Sequence, residues 1–172
     1  MKTIVGIDGS TNSTGICVFC DETYVKHTLI DCHKEKDVMK RIPMMADMIC
    51  RYLDEIGDID VIIMERSVYR ANIDTTQKLS NLAGAIMLYA YQHNIKFEHP
   101  VPSEWRRKIG LEQNKNVKRE VLKLEAIKAV KQEYGLDVAD DIAESLLIAR
   151  SGFDLPKINI KAEDVEEEIW GN

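Results

Sequence analysis

Gly6-Ile7-Asp8-Gly9-Ser10-Thr11-Asn12-Ser13-Thr14-Gly15 decides how the first part of the chain folds. Ahead of the turn, Lys2 to Asp8 is β-rich, and behind it Ile16 to Phe19 resumes an apolar run. The polar stretch from Gly9 to Gly15 therefore reads as the turn of a β-hairpin. Asp8 sits in an otherwise apolar strand, where a charge is costly unless it is paired or bound to a metal. Hydrogen bonds from the turn amides are one way to meet that cost, and a cation is another.

Working outward, Tyr24 to Asp31 reads as a third strand with Val25, His27, Leu29 and Asp31 on one face. Asp37 to Ile56 reads as a helix, with Val38, Ile42, Met45, Ile49 and Leu53 at helical spacing and Pro43 as a candidate for its true first turn. Asp60 to Met64 is a short apolar run between acids, which suits a buried parallel strand, and Glu65 ends it. A helix follows over Thr75 to His93, then a strand over Ile95 to Val101 and a short helix over Glu104 to Ile109 capped by Ser103. Asn116 to Tyr134 is amphipathic through Val117, Val121, Leu124, Ile127 and Val130, and Gly135 ends it. Asp140 to Arg150 forms the last helix. Residues 153–172 read as a loosely attached acidic tail beside one domain over residues 1–152. Three strands, a helix, strand–helix–strand and terminal helices make an α/β layout.

Three separate elements each carry a misplaced acid. Asp8 and Glu65 belong to apolar strands, and Asp137, Asp140, Asp141 and Glu144 crowd the start of the last helix. Asp141 and Glu144 are three apart and share a face; Asp137 and Asp140 keep the same spacing. Acids at a helix start also complement its dipole, so capping alone would account for any one of Asp137, Asp140 or Asp141. Oxygen ligands without neighbouring histidines suit Mg²⁺ or Mn²⁺ better than zinc. Two such ions can activate a water and stabilise the leaving oxygen of a phosphodiester.

Composition limits the partners. The 172 residues suit a single domain with a full core, and no run of eighteen uncharged apolar residues suggests a membrane helix. Asp8 interrupts the start where a signal peptide needs apolar residues, so a cytoplasmic location is expected. Cys17, Cys20, Cys32 and Cys50 match no zinc-finger spacing and read as thiols in a reducing compartment. The net charge of −6 argues against a nucleic-acid partner until its distribution is read. From Lys96 to Gly135 there are ten Lys or Arg and six Asp or Glu, whereas the segment after Gly152 has six acids and two lysines. A basic face and an acidic face can coexist, so DNA is a permitted partner.

These residues resemble a known family, the RuvC Holliday-junction resolvases, and especially their bacteriophage relatives. Gly6 to Gly15 resembles the family's first-strand motif, in which the Asp binds metal. Ile62-Ile63-Met64-Glu65, with Leu79-Ser80-Asn81-Leu82-Ala83-Gly84 after it, resembles the second, where the Glu is the next ligand. Asp141-Ile142-Ala143-Glu144-Ser145-Leu146-Leu147-Ile148-Ala149 resembles the closing helix with two acids three apart. The likeness runs from about residue 2 to residue 152. It implies an RNase H-like α/β fold, a mixed five-stranded sheet flanked by helices. It also implies a homodimer and a nuclease that nicks four-way DNA junctions by water attack with two Mg²⁺ per site, Mn²⁺ substituting.

The resemblance assigns Asp8, Glu65, Asp141 and Glu144 as catalytic metal ligands, with Asp140 assisting. The family's closing pair is commonly two aspartates, and here the second member is Glu144. Tyr69 is the candidate for the aromatic residue presented to the junction, one position later than in bacterial forms. Arg66, Arg70 and Lys78 are candidates for phosphate contacts, as are Arg106, Arg107, Lys108, Lys115, Lys118 and Arg119. Trp105 is expected to anchor packing rather than to stack on a base. The Thr75–His93 helix is apolar on more than one side through Ala85, Met87, Leu88 and Tyr91, which suits a twofold dimer contact.

Other readings compete. The Asp-Gly-Ser/Thr hairpin also resembles the phosphate loop of the sugar-kinase and actin superfamily, which needs a second such half. A non-catalytic junction-binding protein would be marked by lost acids, yet all are present. A broader nuclease of forks and flaps stays open beside a strict resolvase.

Overall fold

The computed structural model describes residues 1–67, 73–111, 117–160 and Val165. Among the described residues, five strands and five helices follow the order that the sequence anticipates. The strands are β1 (Thr3–Asp8), β2 (Ser13–Cys20), β3 (Thr23–Asp31), β4 (Val61–Met64) and β5 (Lys96–Glu98). The helices are α1 (Val38–Ile56), α2 (Ile73–Gln92), α3 (Pro102–Ile109), α4 (Arg119–Tyr134) and α5 (Asp140–Arg150). One mixed sheet has the order β3-β2-β1-β4-β5. Its first three strands are antiparallel, and β4 and β5 run parallel to β1. This is the α/β, RNase H-like architecture.

Alternation along the strands divides the interior in two. Val5, Ile7, Ile16, Val18, Ile62 and Met64 meet α1 and α2 on one side of the sheet. Ile4, Cys17, Phe19, Val61 and Ile63 meet α3, α4 and α5 on the other. Asp8 shares the parity of Ile4 and Gly6, and Glu65 that of Val61 and Ile63. Both acids therefore belong to the α5 side.

Two glycines bring α5 close. A Cβ on Gly6 would lie 2.3 Å from the Ser145 carbonyl oxygen, and one on Gly15 would lie 2.1 Å from that of Asp141. Each contact is with helix backbone, which has no flexible end to move aside. Gly15 lies opposite Asp8 in the hairpin, so the first turn of α5 sits directly over the acidic end of β1.

Some local expectations shift. Asp37, not Pro43, begins α1: its side chain accepts from the Met39 amide at 2.9 Å, and Pro43 lies in the second turn on the exposed face. α2 begins at Ile73, and β5 is only three residues long. α3 starts at Pro102 with Val101 as N-cap, so Ser103 lies inside the helix. α4 starts at Arg119, and its buried stripe turns toward Leu122, Glu125, Ala126 and Ala129, leaving Leu124 exposed. Small alanines permit close packing on α5, and Glu125 tolerates burial because it has a cationic partner.

The segment after Gly152 is not loosely attached over the residues described. Phe153 and Ile158 are buried in the α3–α5 core, and the Ile158 amide donates to the Ile109 carbonyl at 2.7 Å. Arg150 donates to the Pro156 carbonyl at 2.6 Å, and Val165 packs on Val121. Phe153, Ile158 and Val165 anchor the described part of it.

The four cysteines are free thiols. Burial pushes the Cys17 thiol up to about 12, which makes it inert. Among the described residues, no helix is long and apolar enough to cross a membrane.

Candidate active site

Parallel pairing sets the first two acids side by side. Ile7 of β1 lies beside Met64 of β4, and the Glu65 amide continues the ladder by donating to the Ile7 carbonyl at 3.2 Å. Asp8 and Glu65 thus leave the C-terminal ends of neighbouring strands on one face. Such ends are where open α/β sheets place their sites.

Helix α5 supplies the other two. Asp141 in its first turn accepts a 2.9 Å hydrogen bond from the Ser13 hydroxyl of β2. Glu144, one turn on, accepts from Arg106 Nη2 at 2.9 Å. The positive end of the helix dipole faces this cluster and favours anions there.

The electrostatics record the mutual repulsion of the groups. Burial, then Glu144, Glu65 and Asp141, hold the Asp8 carboxyl well above the usual carboxylate range, and Arg119 opposes them. Burial and then Glu144 raise Glu65 to about 7, against a hydrogen bond from Trp105 and the charges of Arg106 and Arg119. Mutual repulsion among acids in a recess is what a multivalent cation relieves.

The cleft is about 400 Å³ and includes Asp8, Glu65, Glu144, Arg66, His99 and Arg119 in its lining. As the side chains stand, no three Asp, Glu, His or Cys groups among the described residues close on one point at metal-binding spacing. The donor set itself fits a hard divalent ion: oxygen donors from three elements, with Asp8 and Glu65 held toward their neutral forms first by burial and then by neighbouring carboxylates.

Asp140 and Asp137 point elsewhere. Asp140 pairs with Lys123, which holds its carboxyl below the usual range together with amides of the first helical turn. Asp137 is exposed and pairs with Lys131 at 2.7 Å. Neither is among the groups that raise Asp8. The register that faces the strands is Asp141 with Glu144.

Arg106 is the clearest departure from the sequence reading. Expected on the surface to meet DNA, it is only 2 % exposed, under the site. Its guanidinium donates to Glu125 Oε2 at 2.8 Å, to the Leu122 carbonyl at 3.1 Å and to Glu144. Arg106 lines the cleft from its buried side, and its charge is shared between the fully buried Glu125 and Glu144. Arg66, Arg107, Lys108, Lys118 and Arg119 are exposed, and Arg66 and Arg119 border the cleft. Lys78 pairs with Asp74. Tyr69, Arg70 and Lys115 lie outside the described residues.

Two residues of the site were not singled out for it in the sequence. Trp105 is buried as a packing residue, yet its indole also donates to Glu65 Oε2 at 2.7 Å. His99 borders the cleft, hydrogen-bonded to the Glu65 backbone, and burial and Arg66 lower its basicity. The Pro-Ser-Glu-Trp-Arg string marked a helix start, but nothing local in it pointed back to Glu65.

The fold finds counterparts among solved structures. RuvC from Thermus thermophilus in complex with a Holliday junction substrate superposes with a TM-score of 0.70 at 14 % identity, covering 88 % of this chain and 92 % of that one. A further Thermus thermophilus RuvC structure gives 0.67 at 15 % identity, with 87 % and 92 % covered. The yeast mitochondrial Holliday junction resolvase Ydc2 gives 0.52 at 22 % identity, with 86 % and 76 % covered. No curated protein sequence shows significant similarity to the chain. Residues 4–148 match the sequence profile of crossover junction endodeoxyribonuclease RuvC, from the first strand to the last helix. Those bounds enclose every acid that converges on the cleft, and the chain belongs to the RuvC family.

Proposed function

We propose that the protein is a divalent-metal-dependent endonuclease that nicks branched DNA, with four-way junctions as its principal substrate. The observation that carries this reading is the meeting of Asp8, Glu65 and Glu144, from β1, β4 and α5, in a cleft bordered by exposed arginines. Family membership supports it independently.

Asp8 and Glu65, side by side, would hold the cation, Asp141 would complete the set, and Glu144 would ligate or orient the attacking water. Bound Mg²⁺ or Mn²⁺, two ions in the fullest form of the site, would acidify that water and neutralise phosphate charge. The hydroxyl of Ser13 holds the Asp141 carboxylate beside the hairpin, and Arg106 holds Glu144, which lines the cleft. Arg66 and Arg119 at the mouth, with Arg107, Lys108 and Lys118 beyond, supply charge for the DNA backbone. The water oxygen bonds to phosphorus as the P–O3′ bond breaks. The electron pair leaves on O3′, which takes a proton, so the products are a 5′-phosphate and a 3′-hydroxyl.

A labelled four-way junction beside linear duplex, with Mg²⁺, Mn²⁺ or EDTA, tests the reading. Paired nicks in the junction alone are expected, lost in Asp8→Asn while junction binding persists. Retained nicking by Asp8→Asn at matched metal would overturn the site. Equal cutting of forks and flaps would widen the substrate class, and binding without cutting would return the protein to a scaffold role.

The working unit would be a twofold dimer, which suits a symmetric substrate. Met87, Leu88 and Tyr91 of α2 are large apolar residues turned to solvent. Sedimentation at micromolar concentration should show a dimer; monomer alone would contradict it.

A further inference from the structure

Trp105 is an expensive residue to bury unless its N–H finds an acceptor. It is 1 % exposed, packed among the residues of α3, α4 and α5, with the Arg106 guanidinium carbon 4.8 Å from the centre of its ring. Its single polar atom reaches forty positions back along the chain to one oxygen of Glu65 at 2.7 Å. Carbonyl oxygens abound in a helical core, so the choice of a carboxylate in the cleft is informative.

The consequence for Glu65 is geometric. Its backbone is held by β1 through the Ile7 carbonyl, and its Oε2 is held by the indole. One carboxylate oxygen is thus occupied by a neutral donor, and the other, without a hydrogen-bond partner among the described residues, is left for a cation. A neutral donor matters here, because a cationic one would cancel the charge that attracts metal. Arg106, the next residue, plays that cationic part at Glu144, where its charge is shared with Glu125. Adjacent residues of α3 therefore steady two carboxylates from different elements, one without neutralising it. Outer partners of this kind commonly set ligand orientation and affinity.

From this geometry we propose that Trp105 is a positioning residue of the site: its indole N–H fixes the orientation of the Glu65 carboxylate for binding a divalent cation. The inference rests on the nuclease reading of the cleft and goes beyond it in assigning a metal-affinity role to a core tryptophan.

The test uses the full chain without DNA. Mn²⁺ binding is measured by calorimetry for wild type, Trp105→Phe and Glu65→Gln, and each melting temperature is recorded in EDTA. Trp105→Phe should weaken Mn²⁺ binding by about tenfold. Unchanged Mn²⁺ affinity in a folded Trp105→Phe variant would overturn the proposal and leave the nuclease reading intact. Absence of Mn²⁺ binding by wild type would overturn both. Should the variant fail to fold, the indole signal decides. The chain has two tryptophans, Trp105 and Trp170, hence two indole N–H resonances. One should shift in Glu65→Gln and on Mg²⁺ titration of wild type; indifference of both to Glu65→Gln and to bound Mg²⁺ would refute the positioning role.

Discussion

Replacing Glu65 by glutamine should stabilise the metal-free protein while destroying its site. Glutamine keeps an oxygen for the Trp105 indole and removes only the charge. The Glu65 carboxyl is raised from 4.5 to about 7, first by burial and then by Glu144. A folded-state value above the unfolded one means that the native protein binds the extra proton between those limits. Its stability relative to the glutamine variant is therefore greatest below about pH 4.5 and declines as pH rises to about 7. The gap corresponds to ~3 kcal/mol at about 1.4 kcal/mol per pKa unit. Solvent reaches half-buried Glu65, and Glu144 shares the repulsion, so about 2 kcal/mol is a fair expectation at pH 8. For a chain of this size that is roughly 4–8 °C in melting temperature. Thermal melts in EDTA at pH 4.5 and pH 8 read it directly: a small difference at the lower pH, a clear gain for Glu65→Gln at the higher. Saturating Mg²⁺ should then raise wild type and leave the variant unmoved, because only wild type gains binding energy from the cation. A variant equal to or less stable than wild type at pH 8, or a gain that ignores pH, would refute the account of crowded carboxylates.

Other substitutions probe the frame around the acids. Gly15→Ala places a methyl 2.1 Å from the Asp141 carbonyl oxygen, so α5 must lift from the sheet. A loss of roughly 3 kcal/mol or more in urea unfolding is expected, with weaker metal binding at any temperature where the variant stays folded. Arg106→Met strands the fully buried Glu125, whose other oxygen already has no hydrogen-bond partner among the described residues. About 3–5 kcal/mol of stability should be lost, and Arg106→Met with Glu125→Leu should regain much of it. Were the double variant as unstable as the single, the buried pair would not be the cause.

The acids of the strands could be read before any fold was known. Asp8 and Glu65 stood out because an acid in an apolar strand has a desolvation cost that local sequence cannot offset. The order of strands and helices was legible for a related reason, since periods of two and of 3.6 are written into the chain itself. The closing pair was less legible. Asp137, Asp140, Asp141 and Glu144 all have the right spacing, and only the docking of α5 over Gly15 turns Asp141 and Glu144 toward Asp8. Lys123 and Lys131 draw the remaining two away.

What the sequence determined by itself is the set of elements and the two strand carboxylates, because backbone periodicity and the cost of a misplaced charge are local properties. The tertiary structure alone decided which long-range partners those charges meet. Arg106 looked like one more surface cation in a basic run, yet it lies beneath the site between Glu125 and Glu144, nineteen and thirty-eight residues away. Trp105 looked like core and proved also to hold Glu65 across forty residues. A side chain's solvent exposure and hydrogen-bond partner depend on how helices pack, and that packing joins segments whose separation in sequence carries no trace of their contact.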